Sequence, residues 1–355
     1  MRKFKFLSLV LVAILCMTIF AGCSSSEPKS EPAPEPAEKA EEPKKDLSLT
    51  IYAGLMEDHA QAAAKEFEKE TGVKTSVVRM SGGEILTRIE AEKENTKASV
   101  WYGGPADTFI AAKEKGLLEA YVSPNAAKIP EQFKDPEGYW TGIYKGYLGF
   151  VCNGKLLKEK NIEIPKTWED LLNPALKGQI VVANPASSGT AYTLIATLVQ
   201  LWDEDRAMDY LKKLDEQIRQ YPKTGSAPAQ MAGMGEAMVG ICFMHDGIKY
   251  YEEGYTDIVL SAPEEGTGYE IGAVGIIKNA PDLEAAKIFV DWALTKEAQE
   301  LGQQYGSYQF LTNPDANPPK QAEQLKDTKL IDYDMEFAGK NRARLVEKWH
   351  EVTNK

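Results

Sequence analysis

The chain is poor in the residues from which metal centres and disulfide frameworks are built: 355 residues hold four cysteines and three histidines, His59, His245 and His350. No C-x-x-C, H-E-x-x-H or comparable ligand spacing occurs, so the common zinc and metallohydrolase classes are excluded and neither metal nor cofactor is expected. A G-x-S-x-G elbow and a P-loop are also missing, and the turn serines have no His-acid partner at a recognisable spacing, so an enzyme is not expected. Glu57, Asp58 and His59 together suggest acid/base work, but they open a predicted helix, where acidic residues favour the dipole. Positive charge is short as well. Lys and Arg number 41 against 53 Asp and Glu, a net of −12, which excludes nucleic acid as a partner because that affinity needs clustered cations. What remains, 43% hydrophobic and 26% charged residues, is the make-up of an ordinary globular protein.

Long apolar runs are absent except at the start. Arg2, Lys3 and Lys5 precede a run from Phe6 to Ala21, the layout of an export signal. The run is at the short end for a membrane span and is followed by serines and a charged spacer, which favours the signal. Phe20-Ala21-Gly22-Cys23 resembles the cleavage box of a bacterial lipoprotein, with Phe20 in place of the usual Leu. Residues 1–22 are therefore expected to be a signal peptide and Cys23 a lipidated first residue. Its acyl chains would hold the protein on the outer face of the cell membrane. Residues 24–45 contain only Ser, Pro, Glu, Lys and Ala, without a large apolar side chain, which predicts that 23–45 is a disordered tether. The body from residue 46 onward carries 34 basic and 47 acidic residues, a net of −13.

That body is too long for a single core and predicts two lobes. Short apolar runs alternate with amphipathic stretches, the pattern of an α/β fold with mostly parallel strands. Strands are expected at Leu47 to Ala53, Val73 to Met80, Ser99 to Tyr102, Gln179 to Ala183 and Met238 to Met244, with helices between them. The stretch GYWTGIYKGYLGFVCN from Gly138 reads as strands crossing into a second lobe, and strands near Ile258 to Ala262 and Tyr269 to Ile277 lead back. The expected lobes are residues 46–147 with 273–355, and 148–272. The closing helices, including one near Tyr333 to Val352, are expected to cover the first lobe's sheet. Cys152 and Cys242 sit in apolar runs and read as buried thiols, with a disulfide left open.

Four predicted turns into helices are rich in Gly and small hydroxyl residues: Ser81-Gly82-Gly83, Gly103-Gly104, Ser187-Ser188-Gly189-Thr190 and Thr224-Gly225-Ser226. Such turns either cap helices or present backbone N–H groups and the positive dipole end to an anion. Phosphate or phosphonate is the natural guest, and Ser81, Gly82, Gly104, Ser187, Ser188, Gly189, Thr190, Thr224 and Ser226 are the candidates. His245 and Asp246 follow directly on a strand, at its carboxyl edge.

The order LTIYAG, FEKETGVKTSVV, SGGEILTRI, WYGGPADTFIAAKEKGLLEAY, NPASSGTAY, GEAMVGICF resembles extracellular solute-binding proteins of bacterial ABC importers, within the group that takes ferric iron, phosphorylated sugars or phosphonates. The resemblance runs from Leu47 to nearly the end. It implies a type 2 periplasmic-binding-protein-like fold, two α/β lobes closing by a hinge on an inter-lobe cleft, and a monomer that binds a small anionic solute and passes it to ABC permease subunits. At the positions where ferric binders of the group carry their ligands stand Met56-Glu57, Gly104 and His245-Asp246, and the tyrosine pair is missing. Tyr250-Tyr251 lie four residues on and read as packing. Hard Fe(III) favours anionic oxygens, which weighs against iron; some sugar-phosphate binders of the group carry an acidic residue at the positions of Asp246 and Glu270, so the resemblance implies a sugar phosphate. Trp101, Tyr102, Trp140 or Tyr144 would either pack on a ring or belong to the core, and Glu270 would either meet the solute or be a surface charge. Aminoalkylphosphonate and ferric iron are the alternatives, and a surface enzyme or structural lipoprotein is the different class.

Overall fold

The computed structural model describes residues 47–355. The expected signal peptide, Cys23 and the tether lie outside these residues. No helix among the described residues is long and apolar enough to cross a membrane.

The chain begins with β1 (Ser48–Ala53), α1 (Glu57–Thr71), β2 (Lys74–Arg79), α2 (Gly82–Ala91), β3 (Val100–Pro105), α3 (Ala106–Glu114) and β4 (Leu118–Glu119). The long β5 (Thr141–Asn153) leads to α4 (Gly154–Glu159), β6 (Ile180–Val182), α5 (Gly189–Leu201), α6 (Glu204–Asp215) and β7 (Ile218–Gln220). There follow α7 (Ala227–Gly233), β8 (Val239–Phe243), α8 (Met244–Glu252), β9 (Ile258–Ser261) and β10 (Tyr269–Ile277). The last elements are α9 (Leu283–Ala293), α10 (Lys296–Leu301), β11 (Phe310–Leu311) and α11 (Met335–Thr353).

Local sequence explains the helix ends. In α1, Ala60, Ala63, Ala64 and Phe67 recur at helical spacing on the buried face, and Gly72 ends the helix in the left-handed conformation, φ 76°, donating its N–H to Glu68. Ser188, Asp203, Asp282 and Asp334 accept backbone N–H groups at the starts of α5, α6, α9 and α11.

The strands run in the order β2-β1-β3-β10-β5-β8-β6-β7. β1 pairs parallel with β2 and β3, and β6 pairs parallel with β7 and β8. Between these parallel blocks β5 and β10 run antiparallel. β5 pairs with β10 through Tyr147 and, from Leu148 onward, with β8 and β9. Two α/β halves thus share their central strands, which is the two-lobed architecture that the sequence predicts.

The first half is packed by Leu49, Ile51, Phe67, Val100, Val274 and Phe289 on one side of its sheet, and by Ile85, Trp101, Phe109 and Ile271 on the other. Each such burial contributes about 1.5–3 kcal/mol. Helix α9 covers this sheet as expected. Helix α11 does not: Ala338, Leu345 and Trp349 join the core of the second half with Tyr192, Leu211 and Val239. Its apolar spacing predicts a buried face, but its partners are set by where the chain re-enters after β11. Cys152 and Cys242 are buried and unpaired, because the register sets Cys152 opposite Val239 and Cys242 opposite Gly149.

Candidate functional site

The carboxyl ends of the strands face one another across the junction of the halves, and a cavity lies there. The N-cap residues of five helices, Met56 of α1, Ser81 of α2, Pro105 of α3, Ser188 of α5 and Phe243 of α8, line it. Each helix start carries roughly half a positive charge and unsatisfied N–H groups, so their convergence makes an anion-seeking site. Gly104, at φ 97°, adopts a backbone that only glycine takes readily, and its N–H donates to the Tyr144 hydroxyl at 3.1 Å.

Of the residues proposed from the sequence, Ser81, Gly82, Gly104, Ser188, Gly189, Thr190, Ser226, His245, Asp246 and Glu270 all line this cavity. Ser187 and Thr224 are not in the lining. The Ser187 hydroxyl donates within its own half, to Asn184 and Lys223 carbonyls at 3.2 and 3.0 Å, and the Thr224 carbonyl accepts from Ala227 in the turn before α7. Of the aromatics expected to meet a ring, Trp101, Tyr102 and Trp140 belong to the core: Trp101 and Tyr102 lie on opposite faces of β3, both of which are covered, and Trp140 packs in the core just before β5. Tyr144 does line the cavity, with Phe243.

Arg79 was not among the sequence candidates. It ends β2, two residues before Ser81, lines the cavity and donates Nε to the Leu55 carbonyl at 3.0 Å. Position alone was the available signal: it stands at the carboxyl end of a strand, the same edge that bears the Ser81 turn. Gln309, also in the lining, has no such signal.

The opposite chemistry is supplied by a buried trio. His245 Nε2 lies 3.7 Å from Asp246 Oδ1 and 3.9 Å from Glu270 Oε1. Burial lowers the His245 pKa to about 3, so the imidazole is neutral at pH 7, and its Nδ1 has no hydrogen-bond partner. Burial raises Asp246 to about 7, against the pull of Arg79 and Lys249. Glu270 is raised well above the carboxylate range by burial and by the neighbouring Asp246 and Asp107. The trio therefore offers both hydrogen-bond donors and acceptors.

The halves meet over the cavity. Glu84 N–H, in the first turn of α2, donates to the Ser187 carbonyl at 3.2 Å, and Gly189 packs so close to Pro105 that a Cβ would lie 2.8 Å from its ring.

Two α/β halves joined by shared strands and closed over a site of helix N-termini define a solute-binding protein. The family model for bacterial extracellular solute-binding proteins matches residues 105–341, and the chain belongs to that family. It is similar to the periplasmic binding protein AfuA of Actinobacillus pleuropneumoniae, solved with exogenous fructose-6-phosphate bound. The two are 46% identical with a TM-score of 0.84, over 87% of this chain and 99% of that one. The periplasmic binding protein P5PA is 36% identical with a TM-score of 0.83, over 86% of this chain and 99% of that one. A putative 2-aminoethylphosphonate-binding periplasmic protein of Salmonella typhimurium is 29% identical, over 66% of this chain and 68% of its own length.

Proposed function

We propose that this protein is the solute receptor of an ABC importer, held on the extracytoplasmic face by lipid at Cys23, and that it captures a sugar phosphate between its two lobes. The observation that carries the reading is the convergence of five helix starts and Arg79 on one cavity. A phosphate there would accept hydrogen bonds from Arg79, Ser81, Ser188, Thr190 and the adjoining backbone N–H groups. His245, Asp246 and Glu270 would meet hydroxyls, which donate and accept as this trio does. Likeness to AfuA supports the same solute class.

An aminoalkylphosphonate is the second reading, favoured by the Salmonella relative. An ammonium needs an ionised carboxylate beside it, and the raised Asp246 and Glu270 pKa values weigh toward the hydroxyl partner.

Calorimetric titration with fructose 6-phosphate, glucose 6-phosphate, 2-aminoethylphosphonate, inorganic phosphate and ferric citrate discriminates. A sugar phosphate is expected to bind at least ten times more tightly than the others, about 1.4 kcal/mol or more. Preference for the phosphonate or for ferric citrate would overturn the sugar reading, and turnover of a sugar phosphate would replace the receptor with an enzyme.

A further inference from the structure

We infer that Arg342, outside the cavity, is a positioning residue that couples the helix starts of the two halves and so drives closure. This rests on the closing-receptor reading above.

Arg342 is 4% exposed on α11. Its Nη2 donates to the Pro185 carbonyl at 3.1 Å, three residues before the Ser188 cap of α5. Its guanidinium carbon lies 4.4 Å from the ring centre of Tyr192, in the first turns of α5. Toward the first half, Nη1 lies 4.0 Å from Asp107 Oδ1 and has no hydrogen-bond partner. Asp107 stands in the first turn of α3, two residues after Pro105 of the cavity wall. It also accepts from the Thr108 hydroxyl at 3.0 Å and the Tyr333 hydroxyl at 3.4 Å. One guanidinium therefore lies between the segment that leads into the Ser188 cap and the first turn that follows Pro105.

Its carrier helix grips both sides. A Cβ on Gly339 would lie 2.5 Å from Ile110 Cβ and 2.7 Å from the Asp107 carbonyl, so α11 and α3 are in close backbone contact. On the other side the Tyr192 hydroxyl donates to the Ala338 carbonyl. Buried guanidinium and carboxylate are each costly alone and tolerable together. Separation of the halves would part them, so the charge pair favours the closed arrangement even though it never meets the solute.

The test uses the soluble body of the wild type, Arg342→Gln and Arg342→Gln/Asp107→Asn, with ligand-free small-angle scattering, thermal melting and titration with fructose 6-phosphate and 2-aminoethylphosphonate. R342Q is expected to enlarge the ligand-free radius of gyration, lower the melting temperature and weaken binding about tenfold. In the double variant the orphaned carboxylate is gone, so the melting temperature recovers while the radius stays large and binding stays weak. Recovery of radius and affinity together with the melting temperature would overturn the inference, as would an R342Q protein whose radius is that of the wild type. If the wild type binds neither probe, the solute reading fails by itself, and the ligand-free radius still decides the role of Arg342.

Discussion

The amide of Glu84 and the carbonyl of Ser187, 3.2 Å apart, form a hydrogen bond between the halves, close in sequence to the cavity-lining Gly82 and Ser188 turns. The residue before Glu84 makes that approach feasible. A Cβ on Gly83 would stand 2.3 Å from the Ala186 carbonyl oxygen and 2.7 Å from that of Ser187, and its nearest neighbours all belong to the opposite half. Gly83→Val is therefore expected to be tolerated in the open form and excluded from the closed one. Affinity for the cognate solute should fall about tenfold or more, and solute should no longer contract the particle in small-angle scattering. Ligand-dependent contraction equal to that of the wild type would remove this contact from closure.

Arg79 brings a full positive charge to the cavity lining, which otherwise relies on dipoles and hydroxyls for its anion affinity. Arg79 is half-buried, and a hydrogen bond to a charged group contributes about 1.5–3 kcal/mol, so Arg79→Ala should weaken binding of a phosphorylated solute by roughly tenfold to 150-fold. Arg79→Lys keeps the charge without the planar fork and should fall between. Calorimetry of the three proteins against one sugar phosphate gives the order, and equal affinities would place the anion elsewhere.

Asp246 makes stability depend on pH in an unusual direction. Its ordinary pKa is 3.8 and the folded value is about 7, so between these the folded protein holds a proton that the unfolded chain has released. Its stabilising contribution is complete below pH 3.8 and is lost as pH rises toward 7. His245 acts oppositely. With an ordinary value of 6.5 and a folded one of about 3, it favours the folded state fully above 6.5 and ceases to do so as pH falls toward 3. The two slopes offset each other where they overlap. Asp246→Asn should unmask the rise due to His245, with a melting temperature that gains a few degrees on the wild type, about 2–4 °C per kcal/mol, as pH goes from 4.5 to 7.5. A constant difference between the two proteins across that range would deny the raised Asp246 pKa.

The elements around the site were legible because their signals are local. The alternation of β1, α1, β2 and α2, the Ser-Gly turns and the position of His245-Asp246 at the end of β8 need only periodicity and capping chemistry. Whether Trp101, Tyr102 and Trp140 meet a solute or pack in the core was not legible, because sequence alternation tells which face a residue takes and not what covers that face. Helix α11 was misassigned for the same reason at larger scale. Arg79 escaped because a single cation in an acidic chain carries no pattern, and only the folded structure brings it near Asp246.

β5 changes sheet partners between Tyr147 and Leu148 without leaving the extended conformation, and β10 runs beside it, with Leu148 N–H bonded to Gly268 at 3.1 Å. Two antiparallel strands, covalently continuous with both halves, allow a twist or bend about their own line and resist sliding. Closure about these two strands would thereby approach a single degree of freedom. The helix starts of α2, α3 and α5, proposed to hold the anion, and the His245, Asp246, Glu270 trio would then arrive at one fixed separation, so the hinge would act as a gauge. On that reading a solute too short to reach from those helix starts to the trio, or too long to let Glu84 meet Ser187, would be rejected by length before any individual hydrogen bond distinguishes it.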